Sequence, residues 1–197
     1  MIERSKKNMF LMLVLTTMFL LTTTIAAAQD DNQNNATQED KNKILLILGC
    51  ALAIGIAGIS SAIGLALAGS SAVAVTAEKP DLFGKCLVLQ VLPMTQSVYG
   101  LLTAILLMMG SGLLGGTARA NMLSPVIGTA AVWIGLAVGL TGISAINQGM
   151  VASSSISAVG RNPDVAARGI IYTVMPETIA IFGLLVAILL MTGLGLL

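Results

Sequence analysis

The sequence predicts an all-α membrane protein: a duplicated helical hairpin with four transmembrane helices. Of its 197 residues, 56% are hydrophobic and only 10% are charged, whereas a soluble domain of this size carries about a quarter charged residues. Four apolar segments, at about 44–77, 84–114, 125–159 and 166–197, each exceed the roughly 20 helical residues that span a hydrocarbon core. An internal repeat relates the second half of the chain to the first.

The repeat has a period of 83 residues and needs no gap. It aligns three pairs of segments: KPD (79–81) with NPD (162–164), LPMT (92–95) with MPET (175–178), and AILLM (104–108) with AILLM (187–191). Because both copies run in the same direction, the repeat is parallel, which argues against the inverted-repeat transporters. The chain is therefore predicted to be two helical hairpins in tandem.

The N-terminal residues 1–28 predict a secretory signal peptide. Basic residues within the first seven positions precede an apolar stretch at 9–25, and three alanines form a small-residue cleavage site before Gln29. An uncleaved anchor helix is the alternative. Residues 29–43 are polar and lack aromatic side chains, so we expect a short disordered tail.

The first hairpin is predicted at 44–114 and the second at 125–197, joined by a loop at 115–124. A cleaved signal peptide places the mature N-terminus outside, so that loops 78–85 and 160–165 are cytoplasmic and the C-terminus is outside. The basic residues follow the positive-inside rule modestly. Four of them lie in or next to the inner loops and one lies in the outer loop: Lys79, Lys85, Arg161 and Arg168, against Arg119.

The apolar segments differ in the size of their side chains. The first and third are rich in glycine, alanine and serine, whereas the second and fourth are rich in leucine, isoleucine, valine and methionine. Small residues let helix backbones approach closely. This pattern fits an ordinary four-helix bundle, and equally a member of a ring with thin helices inside and bulky helices facing lipid.

The composition excludes several functions. There is no histidine, so a zinc site built from histidine and cysteine is excluded, and Cys50 and Cys86 are predicted near opposite membrane faces as small buried residues. A net charge of +1 suggests no nucleic-acid partner. The chain has no phosphate-binding Gly-Lys-Ser/Thr loop, so it is not predicted to hydrolyse ATP.

Glu177 is the candidate functional residue. It is the only acidic residue after Asp164, and apolar sequence surrounds it. A charge near the bilayer centre costs about 2.5–3.5 kcal/mol on insertion scales, and it marks an ion or substrate path by default. Counted from the polar turn at 161–164, Gln148 and Glu177 lie equally far along their helices, at about 20 Å. We therefore expect them at the same depth.

The repeat brings part of the second segment to the same depth. Thr95 and Gln96 align with residues next to Glu177, and Tyr99 shares their helical face. The proline below them weakens the helix, so the carbonyl of Leu92 becomes a candidate ligand. Oxygen donors with one negative charge suit a monovalent cation such as Na⁺. A proton on Glu177 is the alternative cargo, and a polar cluster that only joins helices is a structural alternative.

These motifs resemble the membrane-rotor proteolipid, known as the c or K subunit, of V-type (V/A-type) rotary ATPases. The resemblance covers about residues 44–197, and LPMTQSVYG (92–100) with PET (176–178) is similar to the sodium-binding bacterial branch. It implies that the cargo, Na⁺ or H⁺, is held by Glu177, Gln148, Thr95, Gln96 and the carbonyl of Leu92, with Tyr99 closing the site.

The resemblance also implies the partners and the role. Identical subunits form a ring in the lipid of the cell membrane, a stator membrane subunit releases the ion, and central-stalk subunits dock on the cytoplasmic loops. ATP is made or hydrolysed in other subunits, so this chain is not a catalyst. Met94 stands where the first hairpin would carry its own carboxylate, which implies one ion site per two hairpins. A stand-alone ion-coupled transporter and a structural membrane scaffold are the rival functions.

Overall fold

The computed structural model describes residues 38–114 and 125–197. The predicted signal peptide, residues 29–37 of the predicted tail and the predicted outer loop lie outside the described residues. Four helical spans in the described ranges are long and apolar enough to cross a membrane: Gln38–Glu78, Pro80–Gly110, Val126–Arg161 and Pro163–Gly193. We refer to them as the first to fourth spans. The prediction of an all-α membrane protein with four such helices is confirmed.

The first span is one unbroken helix, α1 (Gln38–Glu78). It begins before the predicted start at residue 44, so the last part of the predicted disordered tail is helical. Two local interactions stabilise this extra turn. Glu39 and Asp40 lie in the first turn, where negative charge opposes the helix dipole, and Lys43 pairs with Glu39 at 2.7 Å, four residues apart.

The other three spans are interrupted. The second consists of a 3₁₀ turn (Pro80–Leu82), α2 (Phe83–Val91), a second 3₁₀ turn (Leu92–Met94) and α3 (Thr95–Gly110). The third consists of α4 (Pro125–Thr141) and α5 (Ser144–Arg161), and the fourth of a 3₁₀ turn (Pro163–Val165), α6 (Ala166–Val174) and α7 (Glu177–Gly193). A shift of 83 residues superimposes the bounds of α2 on those of α6, so the fold itself is duplicated.

The spans form two layers. The first span packs against the third along its length, the second lies beside the first, and the fourth lies beside the third. Over the most apolar 18 residues of each span, 44% of the residues are buried in the first and third spans, 33% in the second and 22% in the fourth. The second and fourth spans therefore present the apolar outer surface, with exposed side chains such as Phe83, Leu101, Phe182 and Leu189.

Glycines hold the first and third spans in backbone contact. A Cβ atom added to Gly135 would overlap the main chain of Gly49, and one added to Gly149 would overlap the main chain of Gly64. Residues without a side chain let the two backbones come this close, as the many small residues of the two spans predict.

Polar contacts join the two hairpins near their short turns. The Nζ of Lys79 donates to the carbonyl of Gly160 at 2.7 Å, and the Nζ of Lys85 donates to the carbonyl of Pro163 at 3.2 Å. Apolar clusters fill the space on either side of the middle of the bundle. Cys50 belongs to one cluster and Cys86 to the other, and both are buried free thiols.

The glycine contact predicts a position-dependent effect of added methyl groups. In Gly149→Ala the new Cβ overlaps the main chain of Gly64, so we expect a loss of about 1–3 kcal/mol and a lower unfolding temperature in detergent. Gly55→Ala is the matched control because a Cβ there meets nothing within 4 Å. Equal unfolding temperatures for the two variants would contradict the contact.

Candidate ion-binding site

The fourth span breaks immediately before Glu177. Pro176 has no N–H, and its ring opposes the carbonyl four residues back, so α6 ends at Val174 and α7 begins at Glu177. Glu177 is only 8% exposed, whereas Met175 and Thr178 on either side of the break are exposed. The break therefore turns the carboxylate inward, towards the second and third spans.

Two neutral donors hold the carboxylate. The Tyr99 hydroxyl donates to Oε1 at 2.7 Å, and Nε2 of Gln148 donates to Oε2 at 3.3 Å. The structure thus brings Gln148 and Glu177 to the same level, as their spacing from the polar turn predicts. No lysine or arginine in the described ranges forms an ion pair with Glu177. A buried carboxylate in this setting needs a cation or a proton to neutralise it.

The hydrogen bonds continue from the third span into the second. Nε2 of Gln96 donates to Oε1 of Gln148 at 2.7 Å, and both side chains are fully buried. The Thr95 hydroxyl lies 3.2 Å from Oε1 of Gln96 and 3.1 Å from the carbonyl oxygen of Leu92. Its single proton serves one acceptor at a time, but the backbone N–H of Thr95 also donates to the carbonyl of Leu92. The predicted site residues therefore lie in one connected group of polar contacts.

A 3₁₀ turn in the second span positions this group of polar contacts. Pro93 in the turn is buried against the first span, where a Cβ on Gly64 would meet the Pro93 Cβ at 2.8 Å. The carbonyl of Leu92 accepts the backbone N–H of Thr95. Since a carbonyl oxygen has two lone pairs, it retains one for the Thr95 hydroxyl or for a ligand.

The first span also supports the site, which the sequence reasoning missed. The hydroxyl of Ser61 is buried and accepts the backbone N–H of Ser97 at 3.1 Å, next to Gln96. A lone serine in a span rich in small residues gives no signal by which this contact could be found. Ser61 fixes the first turn of α3 against α1 and so steadies the side chains of the second span.

The oxygen atoms of the candidate site that could bind a cation include those of one carboxylate. No three cysteine, aspartate or glutamate side chains in the described part of the chain come close enough together to hold a metal ion. The remaining donors are hydroxyl and amide groups. This chemistry can bind a proton or a monovalent cation, because a divalent cation prefers more carboxylates.

A comparison with protein families agrees with the duplicated architecture. The family model that describes the C subunit of ATP synthase matches residues 48–107 and again residues 132–190. The chain belongs to the ATP synthase C-subunit family. Each match covers most of one hairpin, so this ATP synthase proteolipid contains the family's unit twice.

Three proteins similar to this chain are subunits of A-type and V-type ATPases. The proteolipid is 46% identical over 145 residues to the K subunit of the A-type ATP synthase of Methanocaldococcus jannaschii, covering 74% of this chain and 62% of that protein, which is less than two thirds of its length. It is 36% identical over 148 residues to the K subunit of the V-type sodium ATPase of Enterococcus hirae, covering 75% of this chain and 90% of that protein. The 16 kDa proteolipid of the V-type proton ATPase of Nephrops norvegicus is 27% identical over 147 residues, covering 74% of this chain and 89% of that protein.

These similarities indicate which kind of ATPase subunit this proteolipid is. It is a multi-pass rotor proteolipid of a V/A-type rotary ATPase, and it does not carry out the catalysis.

The support from the first span is testable by removing one hydroxyl. Ser61→Ala leaves the N–H of Ser97 without its acceptor, so we expect a loss of about 1–3 kcal/mol and a lower unfolding temperature. Ser70→Ala serves as control, because that exposed hydroxyl bonds only to the carbonyl of Leu67 in its own helix. An unfolding temperature for Ser61→Ala equal to that of Ser70→Ala would refute the supporting role.

Proposed function

We propose that this rotor proteolipid carries Na⁺ across the membrane and that Glu177 binds the ion. The observation that carries the proposal is a buried carboxylate whose partners, Tyr99 and Gln148, are both neutral. A bound monovalent cation makes the site neutral, which lowers the cost of keeping it at membrane depth. The similarity to a proteolipid named for a sodium ATPase supports Na⁺, and H⁺ is the alternative cargo.

The proposed ligands are all oxygen atoms, which suit a hard cation such as Na⁺. They are the carboxylate of Glu177, the amide oxygens of Gln96 and Gln148, the hydroxyl of Thr95 and the carbonyl of Leu92. Tyr99 has a different role in this proposal. Its hydroxyl donates to Glu177 at 2.7 Å, so it holds the carboxylate in place and closes the site.

In the proposed cycle the ion enters through the stator membrane subunit and binds at Glu177. The loaded proteolipid then travels around the ring facing lipid, and the stator releases the ion on the other side. Central-stalk subunits dock on the turns at 78–85 and 160–165, which lie on the cytoplasmic side, and both termini lie outside. The lysines and arginines around these turns support this orientation.

Na⁺ is expected to protect Glu177 from a carbodiimide, a reagent that attacks protonated carboxyl groups. In purified rings at constant pH, labelling of Glu177 should fall as Na⁺ is added, because the bound ion displaces the proton. Mass spectrometry of the labelled chain measures the effect, and an equal concentration of choline controls for ionic strength. Labelling that is indifferent to Na⁺ would exclude the sodium proposal and favour H⁺.

The ligand assignment predicts that Thr95→Ala and Gln96→Ala weaken Na⁺ binding more than ring stability. Losing one charge-assisted contact should raise the Na⁺ concentration for half-maximal protection roughly tenfold or more. Ser97→Ala is the matched control, since that hydroxyl bonds to the carbonyl of Met94 outside the site. Native mass measurement checks that the rings stay assembled. Unchanged Na⁺ dependence in both site variants would refute the assignment, and a monomeric mass would contradict the ring.

A further inference from the structure

One side-chain oxygen within the described ranges is buried without a hydrogen-bond partner: the Oγ of Ser144. The residue is 6% exposed and the oxygen itself has less than 1 Å² of accessible surface. A neighbouring copy in a ring therefore cannot reach it. A buried polar group left unsatisfied costs about 1–3 kcal/mol, and native structures contain few of them. The side chains buried around this oxygen therefore include its candidate partners.

The usual partner of such a hydroxyl is missing at Ser144, which lies at a break in the third span. Serine and threonine in a helix commonly bond to a carbonyl three or four residues back, as Thr141 does with the carbonyl of Ala137 at 2.8 Å. The third span is interrupted between α4 and α5. There the N–H of Ile143 bonds to the carbonyl of Leu140, and the N–H of Ala145 bonds to the carbonyl of Gly142, each only three residues back. Ser144 follows this tightened turn directly.

Gln148 of the candidate site lies on the same helix face as Ser144. The two residues are four apart in α5, so their side chains are neighbours, one turn from each other. Glutamine carries two N–H donors on Nε2. In the arrangement described above, Nε2 donates to Glu177 and Oε1 accepts from Gln96.

The duplication provides an internal comparison. The shift of 83 residues aligns Ser61 with Ser144 and Leu65 with Gln148. Ser61 has a partner, the backbone N–H of Ser97. The hairpin that lacks the carboxylate thus uses its serine structurally and has leucine one turn later. The hairpin that contains the carboxylate leaves its serine unpartnered and has glutamine one turn later.

A cation bound at Glu177 changes which atom of the Gln148 amide must face the carboxylate. An N–H donor repels a cation, so Gln148 must turn its amide to present Oε1 as a ligand. The same turn removes Nε2 from Glu177 and places it on the side where Oε1 accepted from Nε2 of Gln96, so it faces another donor and needs a different acceptor in a fully buried position. We propose that Ser144 Oγ accepts a hydrogen bond from Nε2 of Gln148 when Gln148 turns its oxygen to the bound cation.

Ser144 is thereby a positioning residue, since it acts through Gln148 and is not itself a ligand. The inference rests on the proposed sodium site. This positioning role explains why the unpartnered Oγ of Ser144 lies one helical turn from the Gln148 amide, which must change its orientation. It also makes Ser144 matter in the loaded site, where the acceptor is used, and not in the arrangement in which Nε2 donates to the carboxylate.

The test is a Na⁺ titration of carbodiimide protection on purified, assembled rings. Ser144→Ala should raise the Na⁺ concentration for half-maximal protection roughly two- to tenfold, the equivalent of one buried hydrogen bond, while the labelling rate without Na⁺ stays unchanged. Ser144→Thr keeps the hydroxyl and should remain close to the parent. Ser60→Ala is the control: it removes a hydroxyl that is also buried but bonds to the carbonyl of Ile56 in the first span.

The outcomes separate the two proposals. If Na⁺ protects the parent ring and Ser144→Ala has the same half-maximal concentration, this inference fails while the sodium site stands. If Na⁺ does not protect the parent ring, both fail. Equal weakening by Ser144→Ala and Ser60→Ala also overturns the inference, because the effect is then general packing.

A structural measurement on the parent ring decides the matter if Ser144→Ala does not assemble. High-resolution electron cryo-microscopy in saturating Na⁺ should show Oγ of Ser144 within hydrogen-bonding distance of the Gln148 amide nitrogen. A Gln148 nitrogen that still contacts Glu177 under those conditions would overturn the inference.

Discussion

Burying one carboxylate at membrane depth is the constraint on which the rest of the structure depends. Its donors come from the second and third spans, so these spans must meet the fourth at one level. Gly64 of the first span makes this possible because its missing side chain admits the third span at Ala145 and the second at Pro93. A bulkier residue there would separate the helices that supply the donors. The glycine contacts thus determine where the donors of the site lie.

Duplication produced two hairpins of the same shape with different chemistry. The half-exposed side chain of Met94 stands where the second hairpin has Glu177, and Leu65 stands where it has Gln148. One hairpin therefore supplies the carboxylate and one amide, and the other supplies a hydroxyl, a second amide and a phenol. Neither hairpin contains the whole set of donors. The site exists only where the two hairpins touch.

Spacing in the sequence predicted depth well, because the rise of a helix and the repeat together determine height in the bundle. For this reason Gln148 and Glu177, which are far apart along the chain, could be placed side by side. Which atoms face each other could not be predicted, since the direction of the bond between Gln96 and Gln148 depends on side-chain torsions and tertiary packing. The break before Ser144 also lacked a signal, as it contains no proline. Ser61 was missed because its partner is a backbone group.

The methionine at position 94 has a mechanical consequence for a ring of these proteolipids. If Glu177 binds the ion as proposed, four helices of the ring's circumference carry one ion, where a carboxylate in both hairpins would carry two. A full turn of such a ring moves half as many charges for the same perimeter. The free energy released by ATP hydrolysis in one turn is then divided among fewer ions, so each can be driven against a steeper electrochemical gradient. With a single carboxylate in four helices, the proposed rotor therefore moves fewer ions per turn and drives each with more free energy.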